Sequence, residues 1–353
     1  MKITIIIASR FSVAINPYVF LTLHLTAAFL ALSGSAIAEE PVGPSSDPRV
    51  SDDGRIVVFQ TQAPNFVDGE SGFKLRLVVQ DLDTGETTLI TERGLCPSIS
   101  GNGLFVAFSY DDYASGDQIY VYDWTTGETS LVSASETGEP GNSRSYCRPA
   151  ISADGRFVVF ESDADNLVSG DTNQRSDVFI HDRQSGETAI VSVDSQGAQA
   201  NRGSRRPAVS GDGIVVAFSS RADNLVAGDT NGLEDVFVHR RDTGETRRAS
   251  VSSGGAQAGG TSPSISADGR IVAFYSEAAN LVAGDTNGVQ DVFVHELATG
   301  ETTRVSVNSN GTEGNRQSGI AIRLPASLSG DGRYVFFDSL ATNLVSGDGN
   351  DAY

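Results

Sequence analysis

The sequence predicts an all-β protein built from one repeated four-stranded unit, and three observations support this. Two short turn motifs recur with nearly constant spacing along the chain. Each repeat carries four segments typical of short strands, and the second of them is apolar on consecutive residues. A long repeat period with constant internal spacing indicates a repeat architecture rather than chance. A chain of 353 residues with 38 glycines has ample length for such units and for their many turns.

The first motif is Asp-Gly, or once Asn-Gly, followed by a strand-like run that ends in Phe five residues after the glycine. Such a pair between apolar runs is a strong signal for a tight β-hairpin. The motif occurs six times, at residues 53–59, 102–108, 154–160, 212–218, 268–274 and 331–337. Each copy therefore predicts the first two strands of a unit.

The second motif, Thr-Gly-Glu-Thr or Ser-Gly-Glu-Thr, predicts the turn between the third and fourth strands. It occurs at residues 84–87, 126–129, 185–188, 243–246 and 299–302. Its glycine follows that of the first motif by 31 residues in units 1, 3, 4 and 5, and by 24 residues in unit 2. The predicted units are residues 44–95, 96–146, 147–204, 205–260, 261–323 and 324–353.

The second strand of each unit, such as residues 157–160, is apolar without alternation, which predicts burial on both faces. A sandwich strand exposes one face, whereas a propeller blade is packed between two neighbours. The sequence therefore predicts a β-propeller of four-stranded blades, with six blades detectable. The sixth stops at Tyr353, one position before its third strand. Because a half blade leaves an open sheet edge, which natural proteins avoid, we expect a truncated sequence rather than closure by a partner.

The pattern Ile-Ser-x-Asp-Gly-Arg-x-Val-x-Phe at 151–160 and 265–274 resembles the WD40-like (PD40, TolB-type) β-propeller repeat of exported bacterial proteins. The run at 224–239 and 280–295, with Gly-Asp-Thr-Asn-Gly before Asp-Val-Phe-Val-His, resembles a subgroup found in secreted bacterial proteins. The resemblance covers nearly all of residues 44–353 and implies a propeller. TolB adds an α/β domain and the prolyl-peptidase relatives add a hydrolase domain. Neither fits in this length, so the resemblance does not imply a TolB role in envelope integrity.

Residues 1–38 have the pattern of a signal peptide for export. Lys2 and Arg10 are its only charges, an apolar stretch follows at 19–32, and Ala-Ile-Ala at 36–38 is a small-x-small cleavage site. The alternative is a retained membrane anchor, but the apolar stretch is short for a bilayer span and polar residues interrupt it. We expect cleavage, a periplasmic or secreted protein of residues 39–353, and no stable membrane span.

The charge of the predicted mature chain excludes two classes of partner. Without Lys2 and Arg10, 23 basic residues face 45 acidic residues, a net charge of −22. Nucleic acids and anionic membranes bind basic surfaces, so neither is an expected partner.

The chain contains two cysteines, too few for a disulfide scaffold and without the spacing of a structural zinc site. Cys96 and Cys147 each lie near a proline at the start of a first strand, in units 2 and 3. Neighbouring first strands of a propeller converge near its axis, which could bring the two Cα atoms within the roughly 4.4–6.8 Å of a disulfide. In an oxidising compartment we expect a bridge, with free buried thiols as the alternative.

The loop between the second and third strands carries the pattern D-x-N-x-x-x-D in three units. The residues are Asp171, Asn173 and Asp177, then Asp229, Asn231 and Asp235, then Asp285, Asn287 and Asp291. Oxygen ligands spaced in this way could bind Ca²⁺, the one cofactor that the sequence suggests. The alternative is a turn in which Asp and Asn side chains bond the local backbone. Unit 1 has other residues at these positions and unit 2 lacks the loop.

Two further residue types recur. His181, His239 and His295 share one position on the third strand, too far from the axis to share an ion, so we expect local bonding. Arginines cluster on the loops that enter the first strands and could bind a carboxylate or an acidic partner, or could pair with the Asp-rich loops. These arginines are Arg144, Arg148, Arg202, Arg205, Arg206, Arg316 and Arg323.

Motifs of catalysis are missing from the sequence: it has no G-x-S-x-G elbow, no HExxH and no phosphate-binding loop. We therefore expect a non-catalytic exported propeller that binds a protein, small-molecule or glycan ligand at one face. The rival hypothesis is a propeller enzyme, such as a polysaccharide lyase or glycosidase, with its site at the channel mouth. The fold alone does not separate the two.

Overall fold

The computed structural model describes residues 4–7, 45–63, 75–111, 116–319 and 325–347. Within these ranges the protein is all-β, with strands in six sheets and no helix, and hence no helix that could span a membrane. The strands are β1 (Thr4–Ile7), β2 (Ser45–Val50), β3 (Ile56–Thr61), β4 (Arg76–Asp81), β5 (Thr87–Thr91), β6 (Gly94–Ile99), β7 (Phe105–Asp111), β8 (Asp117–Asp123), β9 (Thr129–Leu131), β10 (Ala150–Ile151), β11 (Phe157–Ser162), β12 (Asp177–Asp182), β13 (Glu187–Ile190), β14 (Ser204–Val209), β15 (Val215–Ser220), β16 (Asp235–Arg240), β17 (Glu245–Arg248), β18 (Thr261–Ile265), β19 (Ile271–Ser276), β20 (Asp291–Glu296), β21 (Glu301–Arg304), β22 (Ser327–Leu328) and β23 (Tyr334–Phe337).

Five of the sheets are antiparallel blades of four consecutive strands. Blade 1 is β2–β5, blade 2 is β6–β9, blade 3 is β10–β13, blade 4 is β14–β17 and blade 5 is β18–β21. The sixth sheet contains β22 and β23, with β1 parallel to β23 from Thr4↔Tyr334 to Ile7↔Phe337. The prediction of a propeller of four-stranded blades with an incomplete sixth is confirmed. β1 lies inside the predicted signal peptide, the rest of which is outside the described residues.

The second strands of blades 1 to 5 are largely buried on both faces, as their unbroken apolar patterns predict, whereas Phe336 on β23 of blade 6 is exposed. All six residues are buried in β3, in β15 and in β19. In blades 3, 4 and 5 the phenylalanine that ends the Asp-Gly motif stacks on a phenylalanine of the third strand, with ring centroids 5.7–6.0 Å apart. Burying one such side chain contributes about 1.5–3 kcal/mol, so these pairs form the core of each blade.

Adjacent blades are joined by backbone hydrogen bonds at the Asp-Gly end of their first strands. Five bonds link consecutive blades from 1 to 6: Asp52 N to Gly101 O, Asn102 N to Ala153 O, Ala153 N to Gly211 O, Gly211 N to Ala267 O, and Ala267 N to Gly330 O, all at 2.8–3.0 Å. In blades 2 to 6 the residue before the Asp-Gly or Asn-Gly pair is glycine or alanine. A Cβ atom on Gly211 would lie 3.2 Å from the Cβ of Ala267 and 3.3 Å from that of Ala153. The first strands therefore converge at this end, and we call the region at their opposite ends, where the chain enters them, the mouth.

Candidate functional site

The D-x-N-x-x-x-D loop of blade 3 is held by hydrogen bonds that leave the asparagine oxygen occupied. Asn173 Nδ2 donates to Asp177 Oδ2 (2.7 Å) and to the carbonyl of Ala200 (3.1 Å). Asn173 Oδ1 accepts the N–H of Arg175 (2.8 Å), and the Ser192 hydroxyl donates to Asp177 Oδ1 (2.6 Å). This is the turn in which side chains bond the local backbone.

The same arrangement recurs in blades 4 and 5. Asn231 Nδ2 donates to Asp235, and Asn287 Nδ2 donates to Asp291, at 3.2 and 2.8 Å. Blade 2 has no such loop, and Gln118 takes over both roles. Gln118 Oε1 accepts from a serine hydroxyl, and its Nε2 donates to the carbonyl of Gly141 at 3.2 Å. These hydrogen bonds join the start of the third strand to the segment that follows the fourth strand. In blade 2 a neutral amide makes the same bonds, so they do not require a carboxylate.

Blades 4 and 5 place a buried guanidinium on this loop. Arg248 Nη2 lies 2.9 Å from Asp229 Oδ2, and its Nε lies 3.6 Å from Asp235 Oδ1. Arg304 Nη1 lies 3.1 Å from Asp285 Oδ1. Both arginine side chains are 8% exposed. In blades 4 and 5 the end of the fourth strand thus carries the arginine that neutralises the loop. The sequence pattern alone did not predict this contact.

Blade 3 has Ile190 at the end of its fourth strand, in the place of these arginines. Asp171 Oδ1 is buried there with no hydrogen-bond partner among the described residues. Burial raises the pKa of Asp177 to about 6, an effect that hydrogen bonds from Ser192 and Asn173 reduce and the charge of Asp171 increases. Burial also raises the pKa of Asp235, but there the charge of Arg248 acts in the opposite direction.

Within the described ranges, no group of three or more His, Cys, Asp or Glu side chains is arranged to hold a metal ion. The three predicted residues of each loop come together, but the asparagine turns its nitrogen toward the aspartate. The calcium hypothesis stays a prediction. Blade 3 is the loop to test first, because no arginine occupies the equivalent position there.

The histidines bond locally, as expected, and two of them take part in contacts between blades. His239 Nδ1 and Thr246 Oγ1 are 2.9 Å apart, and Thr246 Oγ1 donates to the carbonyl of Val193 in blade 3 (2.5 Å). His295 and Thr302 repeat this contact toward Val251 of blade 4. Since the threonine hydroxyl donates to the carbonyl, it accepts a hydrogen bond from Nδ1–H. Burial lowers the pKa of both imidazoles, so they are neutral at pH 7.

The entrance loops carry most of the arginines singled out in the sequence. Several form ion pairs, and the partner of Arg205 is Glu234, inside the D-x-N-x-x-x-D loop of blade 4. Arg144 Nε bonds Asp117 (2.8 Å) and Arg205 Nε bonds Glu234 (2.9 Å). Arg202 lies 3.7 Å from Asp223, Arg316 is exposed, and Arg323 is outside the described residues. Arg206 Nη1 donates to Thr261 Oγ1 at 2.7 Å and to Ser262 Oγ at 3.0 Å, across to blade 5.

Cys96 and Cys147 form a disulfide that joins the first strand of blade 2 to the entrance of blade 3. Their Cα atoms are 5.6 Å apart, within the range that such a bond requires. Both residues are partly exposed.

A ring of left-handed residues surrounds the mouth. In each of blades 1 to 5 the non-glycine residue before a proline has a positive φ, an arrangement that persists only where the surroundings enforce it. This entrance ring consists of Asp47 (50°), Cys96 (51°), Arg148 (102°), Arg206 (55°) and Ser262 (54°). Sequence reasoning missed it, although the recurring X-Pro at first-strand entrances was a signal.

A second set of residues faces the entrance ring from the second strands. Each follows the core phenylalanine of its blade, and we call them the seam residues: Gln60, Ser109, Glu161, Ser219, Tyr275 and Asp338. Burial raises the pKa of Tyr275, the charge of Asp338 adds to this, and the charge of Arg148 opposes it. Tyr275 of blade 5 therefore interacts electrostatically with side chains of blades 3 and 6.

Comparison with solved structures supports the propeller fold. The β-propeller domain of the Trilobed protease from Pyrococcus furiosus is similar, with a TM-score of 0.51 and 13% identity over 78% of this chain and 74% of that chain. TolB from Acinetobacter baumannii has a TM-score of 0.46 and 18% identity over 74% of this chain and 54% of that one, so this chain spans about half of its length. An acylaminoacyl peptidase from Pyrococcus horikoshii has a TM-score of 0.47 and 14% identity over 75% of this chain and 39% of that one. No family model and no curated protein matches the sequence. At such identities the likeness concerns the fold alone: the chain is a β-propeller.

Proposed function

We propose that this protein is an exported, non-catalytic β-propeller that binds a protein, glycan or small-molecule ligand at the mouth formed by the entrance ring and the seam residues. One observation carries the proposal. The entrance-ring residues all have a positive φ, yet the side chains of the ring and the seam vary along the chain and include acidic, basic, aromatic and hydroxyl groups, with arginine repeated at two ring positions and serine at two seam positions. Structural positions of the repeat keep their residue type, so this variation favours recognition.

The polar residues that do recur make structural hydrogen bonds, most of them within one blade. The loop aspartates bond serine and asparagine side chains, and the histidines bond threonines. These bonds give the recurring side chains a structural role. Export is supported by the signal-peptide pattern and by the disulfide, a bond typical of oxidising compartments.

A propeller enzyme with its site at the same mouth is the second candidate. Burial raises the pKa of Glu161. Burial acts in the same direction on Glu234, but the Arg205 guanidinium outweighs it and the net pKa is lowered. Two carboxyl groups whose pKa values are pushed apart are what acid–base catalysis requires.

Binding and turnover assays on one set of ligands separate the candidates. Residues 39–353 are screened against peptides and glycans of the bacterial envelope, and each hit is measured by calorimetry with wild type, Arg206→Ala and Arg247→Ala. Arg247 lies on β17, with its side chain 62% exposed and paired to Glu245, and serves as the matched control. We expect at least a tenfold loss of affinity for Arg206→Ala and none for Arg247→Ala. Turnover of a ligand that is abolished by Glu161→Gln would replace the binding function with the enzyme.

A further inference from the structure

Seam residues of blades 1, 3 and 4 each join their blade to the next at the mouth. Gln60 Nε2 donates to the carbonyl of Gly94 (2.9 Å) between blades 1 and 2. Glu161 accepts the N–H of Arg206 (3.2 Å) between blades 3 and 4. Ser219 Oγ accepts the N–H of the entrance-ring residue of blade 5 (3.1 Å). At these three seams the side chain after the core phenylalanine bonds the backbone of the following first strand.

The seam between blades 2 and 3 is built differently. Ser109 is fully buried, and its Oγ has no hydrogen-bond partner in the part of the chain that the structure describes. A buried hydroxyl without a partner costs about 1–3 kcal/mol. The covalent link between blades 2 and 3, the Cys96–Cys147 disulfide, lies at this same seam.

A one-residue insertion accounts for the difference. In blade 4, Arg205 pairs with Ser219 and Ala208 with Ala217, so two residues form the entrance bulge. Blades 1, 2 and 5 also have two bulge residues. In blade 3 the Tyr146 N–H bonds the Glu161 carbonyl and the next pair begins at Ala150, so residues 147–149 make a bulge of three.

The extra residue distorts the entrance of blade 3. The first strand there is reduced to Ala150–Ile151, against five or six residues in blades 1, 2, 4 and 5. Arg148 has a φ of 102°, about twice the value at the other members of the entrance ring. The entrance bulge is alike in blades 1, 2, 4 and 5 and departs from this arrangement in blade 3, where the disulfide holds it.

We propose that the Cys96–Cys147 disulfide is a redox-operated clip with two states. In the oxidised state the disulfide joins blades 2 and 3 and Ser109 Oγ has no partner. In the reduced state the bulge at 147–149 relaxes toward the arrangement of the other blades, and the N–H of Arg148 donates to Ser109 Oγ. The Arg148 guanidinium moves with its backbone, which changes the distribution of charge at the mouth.

The chemistry of the switch is thiol–disulfide exchange with a dithiol. One thiolate of the reductant attacks a cysteine Sγ and breaks the S–S bond, and its second thiol resolves the mixed disulfide. The reductant closes to a cyclic disulfide while the protein gains two electrons and two protons as two thiols. Both cysteines are partly exposed, so the reagent can reach them. The inference does not depend on which ligand occupies the mouth.

A cycle of two substitutions and two redox states tests the clip in the full exported chain. Ser109→Ala and Ser219→Ala are compared with wild type by thermal unfolding, with the disulfide intact and after treatment with dithiothreitol. We expect Ser109→Ala to raise Tm in the oxidised protein, because it removes a buried hydroxyl that has no partner, and to lower Tm by about 2 °C in the reduced protein, the effect of one hydrogen bond. Ser219→Ala serves as the control and should lower Tm equally in both states.

A third variant removes the effect of the reagent itself. Cys96→Ser with Cys147→Ser should behave as the reduced protein, with or without dithiothreitol, and should show slowed amide exchange at Arg148 that Ser109→Ala abolishes. An equal effect of Ser109→Ala in both states, no effect in the reduced state, or unfolding on reduction would each overturn the two-state clip.

Discussion

Arg248 and Asp229 form a buried ion pair, with Nη2 and Oδ2 2.9 Å apart, that ties the end of a fourth strand to the loop before the third strand. Arg304 and Asp285 repeat it in blade 5. Ile190 occupies the equivalent position in blade 3, where two carboxyl groups remain close together. Blade 3 is therefore the place where a bound cation or a proton can replace the guanidinium.

Substituting Ile190→Arg tests calcium at this loop. We expect calcium to stabilise the wild type through Asp171 and Asp177, by about 2.7 kcal/mol at a hundredfold excess over Kd. The added guanidinium takes the place that Arg248 has in blade 4, so the variant should lose the calcium response. Thermal unfolding of both proteins in calcium and in chelator measures the effect. A wild-type midpoint that does not move in millimolar calcium would leave all three loops as turns.

The same substitution should change the pH dependence of stability. Burial raises the pKa of Asp177 from 3.8 to about 6. Between these values the folded protein keeps a proton that the unfolded chain releases, so stability from this group is present below about pH 4 and is lost as pH rises through 6. Ile190→Arg lowers this pKa and removes the decline. Its stability relative to wild type should therefore grow by up to about 3 kcal/mol between pH 4 and pH 7.5.

Leu131→Arg provides the matched control, because it places arginine at the same strand position beside the neutral Gln118. Urea unfolding of the three proteins at the two pH values gives the comparison. A pH-dependent gain in Leu131→Arg equal to that in Ile190→Arg would assign the effect to general surface charge.

The repeat markers predict the blades well because hairpin turns and core phenylalanines are local signals. Asp154-Gly155 and Phe160, for example, fix a turn, a strand and a core position within seven residues. The all-β class and the buried second strands follow from such patterns. Cys96 and Cys147 were predicted to lie close together because both occur at the start of a first strand in adjacent units.

Contacts between distant elements were harder to predict. Nothing next to Asp229 in sequence indicates that its partner is Arg248, 19 residues later and across the sheet. The role of Gln118 depends on aligning a loop that blade 2 has lost. The extra residue in blade 3 becomes visible only when strand register shows which positions are paired.

The disulfide is a prediction about the exported protein as well as a feature of its structure. Mass analysis of native material after alkylation without reductant should find no labelled cysteine. Reduction under native conditions should then expose two thiols per chain, since Cys96 and Cys147 are both partly exposed. Two labelled cysteines in unreduced native material would contradict the bridge and the clip derived from it.

Thr246→Val tests whether the histidine contacts hold blades together. The substitution keeps the shape of the side chain but removes the hydroxyl that donates to Val193 in blade 3 and bonds the buried His239. We expect a loss of about 1–3 kcal/mol in the free energy of unfolding, because a buried imidazole N–H is left without its partner.

Thr188→Val is the matched control. Thr188 bonds His181 at 2.9 Å, but that histidine is more exposed than His239. Its loss should be the smaller of the two, as measured by urea unfolding at pH 7.5. Equal losses would mean that the link to Val193 contributes little and that the blades are joined mainly by their apolar faces.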